Sequence, residues 1–187
     1  MTLPLTYLGH PLLRQTAQTV TVSEIQELAF QELVAQLLIT LTSSNGVGIA
    51  APQVGQSLQL IIVASHPNPR YPHAPAMDPV VMINPWIVHH SQQVEKGWEG
   101  CLSVPGQRGL VPRYESISVE YLTPRGSQEQ RVFNGFVARI IQHECDHLQG
   151  LFFLDRMEPW DQPISEGEYR GMNNQLNPLD LSLSDPR

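Results

Sequence analysis

Five consecutive residues, His143-Glu144-Cys145-Asp146-His147, carry the strongest chemical signal in the chain. They read H-E-x-x-H. On a helix, two histidines four positions apart lie on one face, where both imidazoles reach a single metal ion. Glu144 is then placed to take a proton from a water activated by that ion rather than to bind the ion itself. The ordinary alternative is a half-buried histidine pair beside a solvated glutamate, because so short a motif also arises by chance. The flanks argue against it. Phe136, Val137, Ile140, Ile141 and Leu148 make the segment apolar on more than one side, which predicts a buried helix. Buried His, Glu and Asp side chains are costly unless partnered, and metal ligation partners several at once.

A catalytic site of this kind needs a third protein ligand. The extended form H-E-x-x-H-x-x-G-x-x-H finds its glycine at Gly150, but Phe153 stands at the third-histidine position. The downstream glutamates, Glu166 and Glu168, lie in a Gly- and Pro-containing stretch that makes a poor long helix. That points upstream. The chain has two cysteines. Cys145, inside the motif and off the histidine face, reads as a small buried hydrophobe. Cys101, in Glu99-Gly100-Cys101-Leu102-Ser103, completes a Cys-His-His set with an open fourth position, the layout of a catalytic rather than a structural site. His66 and His73, in the proline-rich stretch 66–79, lack ligand-like neighbours and read as exposed loop residues.

Three segments are similar, in order and spacing, to the signature motifs of peptide deformylases. They are Gly46-Val47-Gly48-Ile49-Ala50-Ala51-Pro52-Gln53-Val54-Gly55, Glu99-Gly100-Cys101-Leu102-Ser103 and Gln142-His143-Glu144-Cys145-Asp146-His147. Leu8-Gly9-His10-Pro11-Leu12-Leu13-Arg14 also resembles the family's N-terminal segment, so the likeness runs from about Leu5 to about Met157. The resemblance implies an enzyme that removes the formyl group from N-formylmethionine at the start of new polypeptides, releasing formate. It implies one divalent metal on Cys101, His143 and His147, with ferrous iron as the working ion and zinc, nickel or cobalt as substitutes. It implies Glu144 as the base, and the Gln53 side-chain amide with the Leu102 backbone N–H as donors to the oxyanion. Gly46, Val47 and Gly48 form an edge along which a peptide can lie as an added strand. Phe136 and Ile140, two turns and one turn before His143, are candidate walls of a methionine pocket. Arg139 shares that face and reads as a snorkelling side chain with its head in water. Glu99 and Asp146 are candidates to orient the imidazoles, with Arg108 or Arg113 as counter-charges.

Composition narrows the partners. A net charge of −7 argues against a nucleic-acid surface. No apolar run approaches the ~20 residues of a membrane span, and the N-terminus reads as neither signal nor transit peptide. The expectation is a cytoplasmic protein whose 187 residues form a single catalytic domain. The expected partners are N-formylmethionyl nascent chains, with a transient ribosome contact brought in by the resemblance alone. Residues 158–187 show no clear helical period and are not basic, so a ribosome-docking helix is not carried over to them. Two rivals stand beside this reading: an H-E-x-x-H metallopeptidase cleaving peptide amides, and a binder without turnover.

The elements that must position these residues follow from periodicity. Ser23 reads as an N-cap, with Ile25, Leu28, Ala29, Leu33, Leu37 and Leu41 marking one amphipathic helix of roughly 18–20 residues. Gly46–Gly55 reads as a loop. Leu58–Ala64, Val80–Ile83, Trp86–His89, Arg108–Pro112, Ser116–Leu122 and Glu129–Phe133 read as strands, and the motif helix runs from near Gly135 to Gly150. The order predicts an α+β fold, mainly antiparallel sheets packed around a central metal-binding helix.

Overall fold

The computed structural model describes residues 1–175. Its elements in chain order are α1 (Val22–Ile25), α2 (Leu28–Ser43), β1 (Gly48–Ala50), β2 (Leu60–Val63), β3 (Val80–His90), β4 (Val94–Cys101), β5 (Val104–Tyr114), β6 (Ser116–Leu122), β7 (Gln128–Asn134), α3 (Gly135–Leu148), α4 (Phe153–Arg156), β8 (Ile164–Ser165) and α5 (Glu166–Gln175). Among the described residues they build a five-stranded sheet, ordered β1-β2-β3-β6-β7, and a three-stranded sheet, ordered β4-β5-β8. Every pairing is antiparallel. This is the expected α+β fold.

The sheets are arranged by which faces are apolar. β2 is apolar at every position and buried on both sides. Ile61 and Val63 join Ile140, Ile141 and Cys145 of α3 in one cluster. Leu60 and Ile62 join Phe30, Leu37 and Leu41 of α2 in another. The larger sheet is thus covered by a helix on each face, which explains why β2 reads as a continuous apolar run rather than an alternation. α3 also contacts β5 of the smaller sheet. Ten of its residues, from Ala138 to Leu148, are buried, so polar side chains on its sheet-facing turns must find partners inside the protein.

Several elements differ from the sequence expectation. The first helix is two. Thr21, not Ser23, is its N-cap, in a capping box with Glu24. The chain breaks after Ile25, and the Gln31 side chain donates to the freed Ile25 carbonyl at 2.6 Å. That break lets Ile25 and Phe30 both enter the core. The two short strands expected around Asn84-Pro85 are one, β3, with a register shift there. Asn84 takes φ 51°, and its side chain holds the Val20 backbone at 2.9 and 2.7 Å; a bulge is where a strand tolerates proline. β4 was not expected at all, since Val94-Glu95-Lys96-Gly97-Trp98 lacks a clean alternation. It exists because β5 pairs with it along most of its length. Part of the Gly46–Gly55 loop is the edge strand β1. The tail from residue 158 does contain a helix, α5, capped by Ser165 and Glu168 and anchored by β8 on β5; residues 176–187 lie outside the described part.

The C-terminal end of α3 is fixed by the N-terminal segment. Gly150 stops the helix with φ 72°, and a Cβ there would lie 2.6 Å from the Arg14 carbonyl carbon and oxygen. Arg14 donates back to the Gly150 carbonyl at 3.2 Å. Gly150→Ala is therefore expected to lose at least about 2 kcal/mol, from the left-handed backbone and the clash together. The urea midpoint should fall with little change in slope; an unchanged midpoint would show that the close approach is not required.

Candidate active site

α3 places His143 and His147 one turn apart, as the spacing predicts, with ring centroids 5.1 Å apart. The third group arrives from β4. Glu99 and Cys101 sit two positions apart near the end of that strand, so both face α3. The ladder with β5 shifts register between them, and both side chains reach α3, Glu99 at His143 and Cys101 at His147. Gly100 packs against the buried Arg108 side chain, where a Cβ would lie 3.0 Å from Arg108 Cδ. Cys101 Sγ lies 3.2 Å from His147 Nε2. The ligand atoms of Cys101, His143 and His147 all fall within 4.8 Å of one another, and all three residues are buried.

That set fits a divalent cation. Ligand atoms around a tetrahedral zinc-sized ion stand about 3.5 Å apart. His147 Nδ1 and Glu144 Oε2 are buried without a hydrogen-bond partner, a cost that a site normally carries only for function. Burial would raise the Cys101 thiol, but the His147 and His143 imidazoles outweigh it and hold the thiol well below its usual range. Burial would likewise lower His143; Cys101 and Glu99 instead hold it well above the usual imidazole range. An anionic sulfur balanced by an imidazole proton is the charge pattern a metal dication replaces.

Glu99 orients His143, accepting from its Nδ1 at 2.8 Å and leaving Nε2 for ligation. The same carboxylate takes a two-pronged contact from Arg113, 2.9 Å on each oxygen, and a third from Arg139 at 3.0 Å. Burial would raise Glu99, yet Arg113 keeps it far below the usual carboxylate range. Asp146, the other candidate partner for an imidazole, touches neither. It accepts from Arg113 at 2.6 Å and from Arg156 at 2.6 Å. Arg108 pairs instead with Glu166 at 2.7 Å. Arg139 corrects the snorkelling expectation: its side chain is only 11% exposed. It donates to the carbonyls of Glu95, Gly97 and Val111, at 2.6, 3.3 and 2.8 Å, as well as to Glu99. It clamps the β4–β5 hairpin to α3. Cys145 is a buried thiol pushed up to about 12, by burial first.

Glu144 lies beside β1. A Cβ on Gly48 would meet Glu144 Oε1 and Ile140 Cγ2 at 2.6 Å each, so the second glycine of Gly46-Val47-Gly48 is required by this approach. Burial pushes Glu144 up to about 7, against the pull of His143 and His147. Gln53 sits in the tight turn after β1. Its Oε1 accepts the Ala50 N–H at 2.8 Å, so its Nε2 must face the other way, 3.4 Å from Cys101 Sγ and 3.2 Å from Ser103 Oγ.

A pocket opens against these groups. Gly46, Val47, Gly48, Gln53, Cys101, Leu102, Phe136, Ile140, His143 and Glu144 all line it, and His147 alone of the expected site residues does not. Arg70, Tyr71 and Trp98 line it as well and were missed. Trp98 carries no motif signal, and the other two fall in the proline-rich stretch. There Tyr71 folds inward, its ring 5.3 Å from Phe136 and its hydroxyl bonded to the Gly100 backbone. His66 bonds the Ala64 carbonyl at 2.9 Å, and neither it nor His73 joins the Cys101 cluster.

Known proteins resemble this chain in sequence and fold. The model of the polypeptide deformylase family matches residues 2–163. Peptide deformylase 2 of Nostoc sp. is 54% identical over 168 residues, 90% of this chain and 93% of the relative. Peptide deformylase 2 of Shewanella oneidensis is 45% identical over 166 residues, 89% of this chain and 90% of the relative. The crystal structure of the Met-Ala-Ser-bound class I type b peptide deformylase from Acinetobacter baumannii superposes with a TM-score of 0.82 at 48% identity, covering 84% of this chain and 99% of that one. With its fold, its metal-ready Cys-His-His cluster and this similarity over most of its length, the chain belongs to the polypeptide deformylase family.

Proposed function

We propose that this protein removes the N-formyl group from N-formylmethionyl nascent chains, using a divalent metal held by Cys101, His143 and His147. The observation that carries the reading is the convergence of Cys101, His143, Glu144 and Gln53 on one pocket beside an unpaired strand edge, with His147 completing the ligand cluster behind it. When bound, the ion lowers the pKa of water toward neutrality and polarises a carbonyl. Ferrous iron is the expected working ion, with zinc, nickel or cobalt able to replace it at a Cys-His-His site.

The protein supplies the rest. Glu144, with a pKa near neutrality, takes the proton of the attacking water and returns it to the leaving amine. The Gln53 amide, locked in orientation by Ala50, donates to the oxyanion of the tetrahedral intermediate, with the Leu102 backbone N–H as second donor. Gly46, Val47 and Gly48 offer the edge for the peptide backbone, and Phe136 and Ile140 wall the methionine side chain. Glu99 fixes the rotamer and tautomer of His143. A metallopeptidase would use the same water and base, so the leaving group separates the two. The pocket is walled by half-buried Tyr71, Trp98 and Phe136 around a buried reacting end, which suits a chain terminus rather than an internal amide. In this reading the protein acts in the cytoplasm on nascent chains; no described helix is long and apolar enough to cross a membrane.

Protein loaded with ferrous iron or nickel should release formate from a formyl-Met tripeptide, and Glu144→Ala should abolish this with metal still bound. The iron form should lose activity in air, since a thiolate beside ferrous iron oxidises, while the nickel form persists. Cleavage of internal amides without formate would overturn the reading. Glu99→Gln should weaken zinc binding about 10- to 100-fold, read by competition with a chromophoric chelator. Unchanged affinity would show that His143 needs no carboxylate.

A further inference from the structure

Two arginines line the pocket, and they are not alike. Arg139 is fully engaged by Glu99 and three backbone carbonyls. Arg70 is held only through its backbone. Asn68 Oδ1 accepts the Arg70 and Tyr71 N–H groups at 2.9 and 3.1 Å, and the Arg70 carbonyl accepts from Arg108 at 3.4 Å. Its guanidinium forms no hydrogen bond or ion pair with any described residue; its contact is the Tyr71 ring, 5.7 Å from the centroid. Glu166 feels the Arg70 charge, but Arg108 already takes both Glu166 oxygens, at 2.7 and 3.2 Å. So the pocket holds one half-buried cation, on an organised loop, with its donors unspent.

Its place along the pocket gives it a substrate. Cys101, His143 and Glu144 form the buried end, and Arg70, Tyr71 and Trp98 form a half-buried rim. A peptide with its formyl group at the buried end and its methionine beside Phe136 and Ile140 sends the following residues past that rim. We propose that Arg70 reads charge in the substrate, pairing with a carboxylate on one of the two residues after the methionine, so that this enzyme favours acidic over basic sequences there. The inference rests on the deformylase reading above. A guanidinium presents paired donors that match a carboxylate, and at a half-buried site the pair is less screened than on an open surface. The chain as a whole carries a net charge of −7, so its overall field repels acidic peptides. A preference for them must therefore arise locally.

The test is kcat/KM for formate release from formyl-Met-Xaa-Ser-amide and formyl-Met-Ala-Xaa-amide, with Xaa Glu, Gln or Lys. The amide cap removes the terminal carboxylate as a competing source of charge. The protein is expected to favour Glu over Lys at one of the two positions by about fivefold, as for a pair worth about 1 kcal/mol. Arg70→Glu should reverse the order, Arg70→Gln should flatten it and Arg70→Lys should retain part of it. Each ratio is taken within one protein, so losses of folding or metal loading cancel. The same Glu-to-Lys ratio in wild type and Arg70→Glu, at both positions, overturns the proposal. Absence of formate from the Gln peptides would count against the deformylase reading instead. The charge preference is then read as calorimetric binding of Met-Glu-Ser-amide against Met-Lys-Ser-amide, judged by the same reversal.

Discussion

The Glu99 carboxylate, buried between the smaller sheet and α3, is the interaction on which the site depends. It is 4% exposed, and a carboxylate so placed is tolerated only with charged partners and full hydrogen bonding. Arg113 and Arg139 supply the charge, and His143 takes one further contact. Each partner belongs to a different structural obligation. Arg113 is on β5 and also holds Asp146 of α3. Arg139 is on α3 and grips the backbone of β4 and β5. The pairs therefore tie the hairpin that brings Cys101 to the helix that brings the histidines. Removing Arg113 would strip Glu99 of its two-pronged partner and leave the weaker single contact of Arg139, so that loss should cost more than removing Arg139.

A second constraint comes from α3 itself. Its apolar side is packed against the larger sheet by Ile140, Ile141 and Cys145, and that burial fixes its rotation. His143, Glu144, Asp146 and His147 must then face inward as well, where water cannot solvate them. The Glu99–Arg113–Asp146–Arg156 set satisfies one part of this polar side. Cys101 meets His147 on the other part, where a divalent cation on Cys101, His143 and His147 would satisfy the remaining ligand atoms. The same burial that makes these side chains expensive raises Glu144 toward neutrality, where a base works best.

Much of this was legible in the sequence, and the parts that were not share a cause. The ligand set, Glu144 and the candidate pocket residues on α3 are readable from short motifs, because helix and strand periodicity place neighbours in sequence on known faces, whereas the role of Gln53 comes from the family resemblance alone. The Glu99–His143 and Arg113 pairings were readable as candidates only. The role of Arg139 was misread, since its four acceptors lie 28 to 44 positions away and no local pattern reports them. β4 has weak periodicity and exists by pairing with β5. α5 lacks an apolar stripe and is held by Arg108–Glu166, a contact across 58 positions. Tyr71 and Arg70 stand among prolines that signal a loop but not where the loop folds back.

The central claim is that one sulfur and two imidazoles of this chain hold the metal, leaving a position open for water and substrate. X-ray absorption on zinc-loaded protein tests it most directly. The expected spectrum has one sulfur at about 2.3 Å and two imidazole nitrogens at about 2.0–2.1 Å, plus one light atom, and Cys101→Ser should abolish the sulfur shell. A sulfur shell that survives Cys101→Ser, or a second sulfur in the unaltered protein, would place Cys145 at the metal and contradict the account.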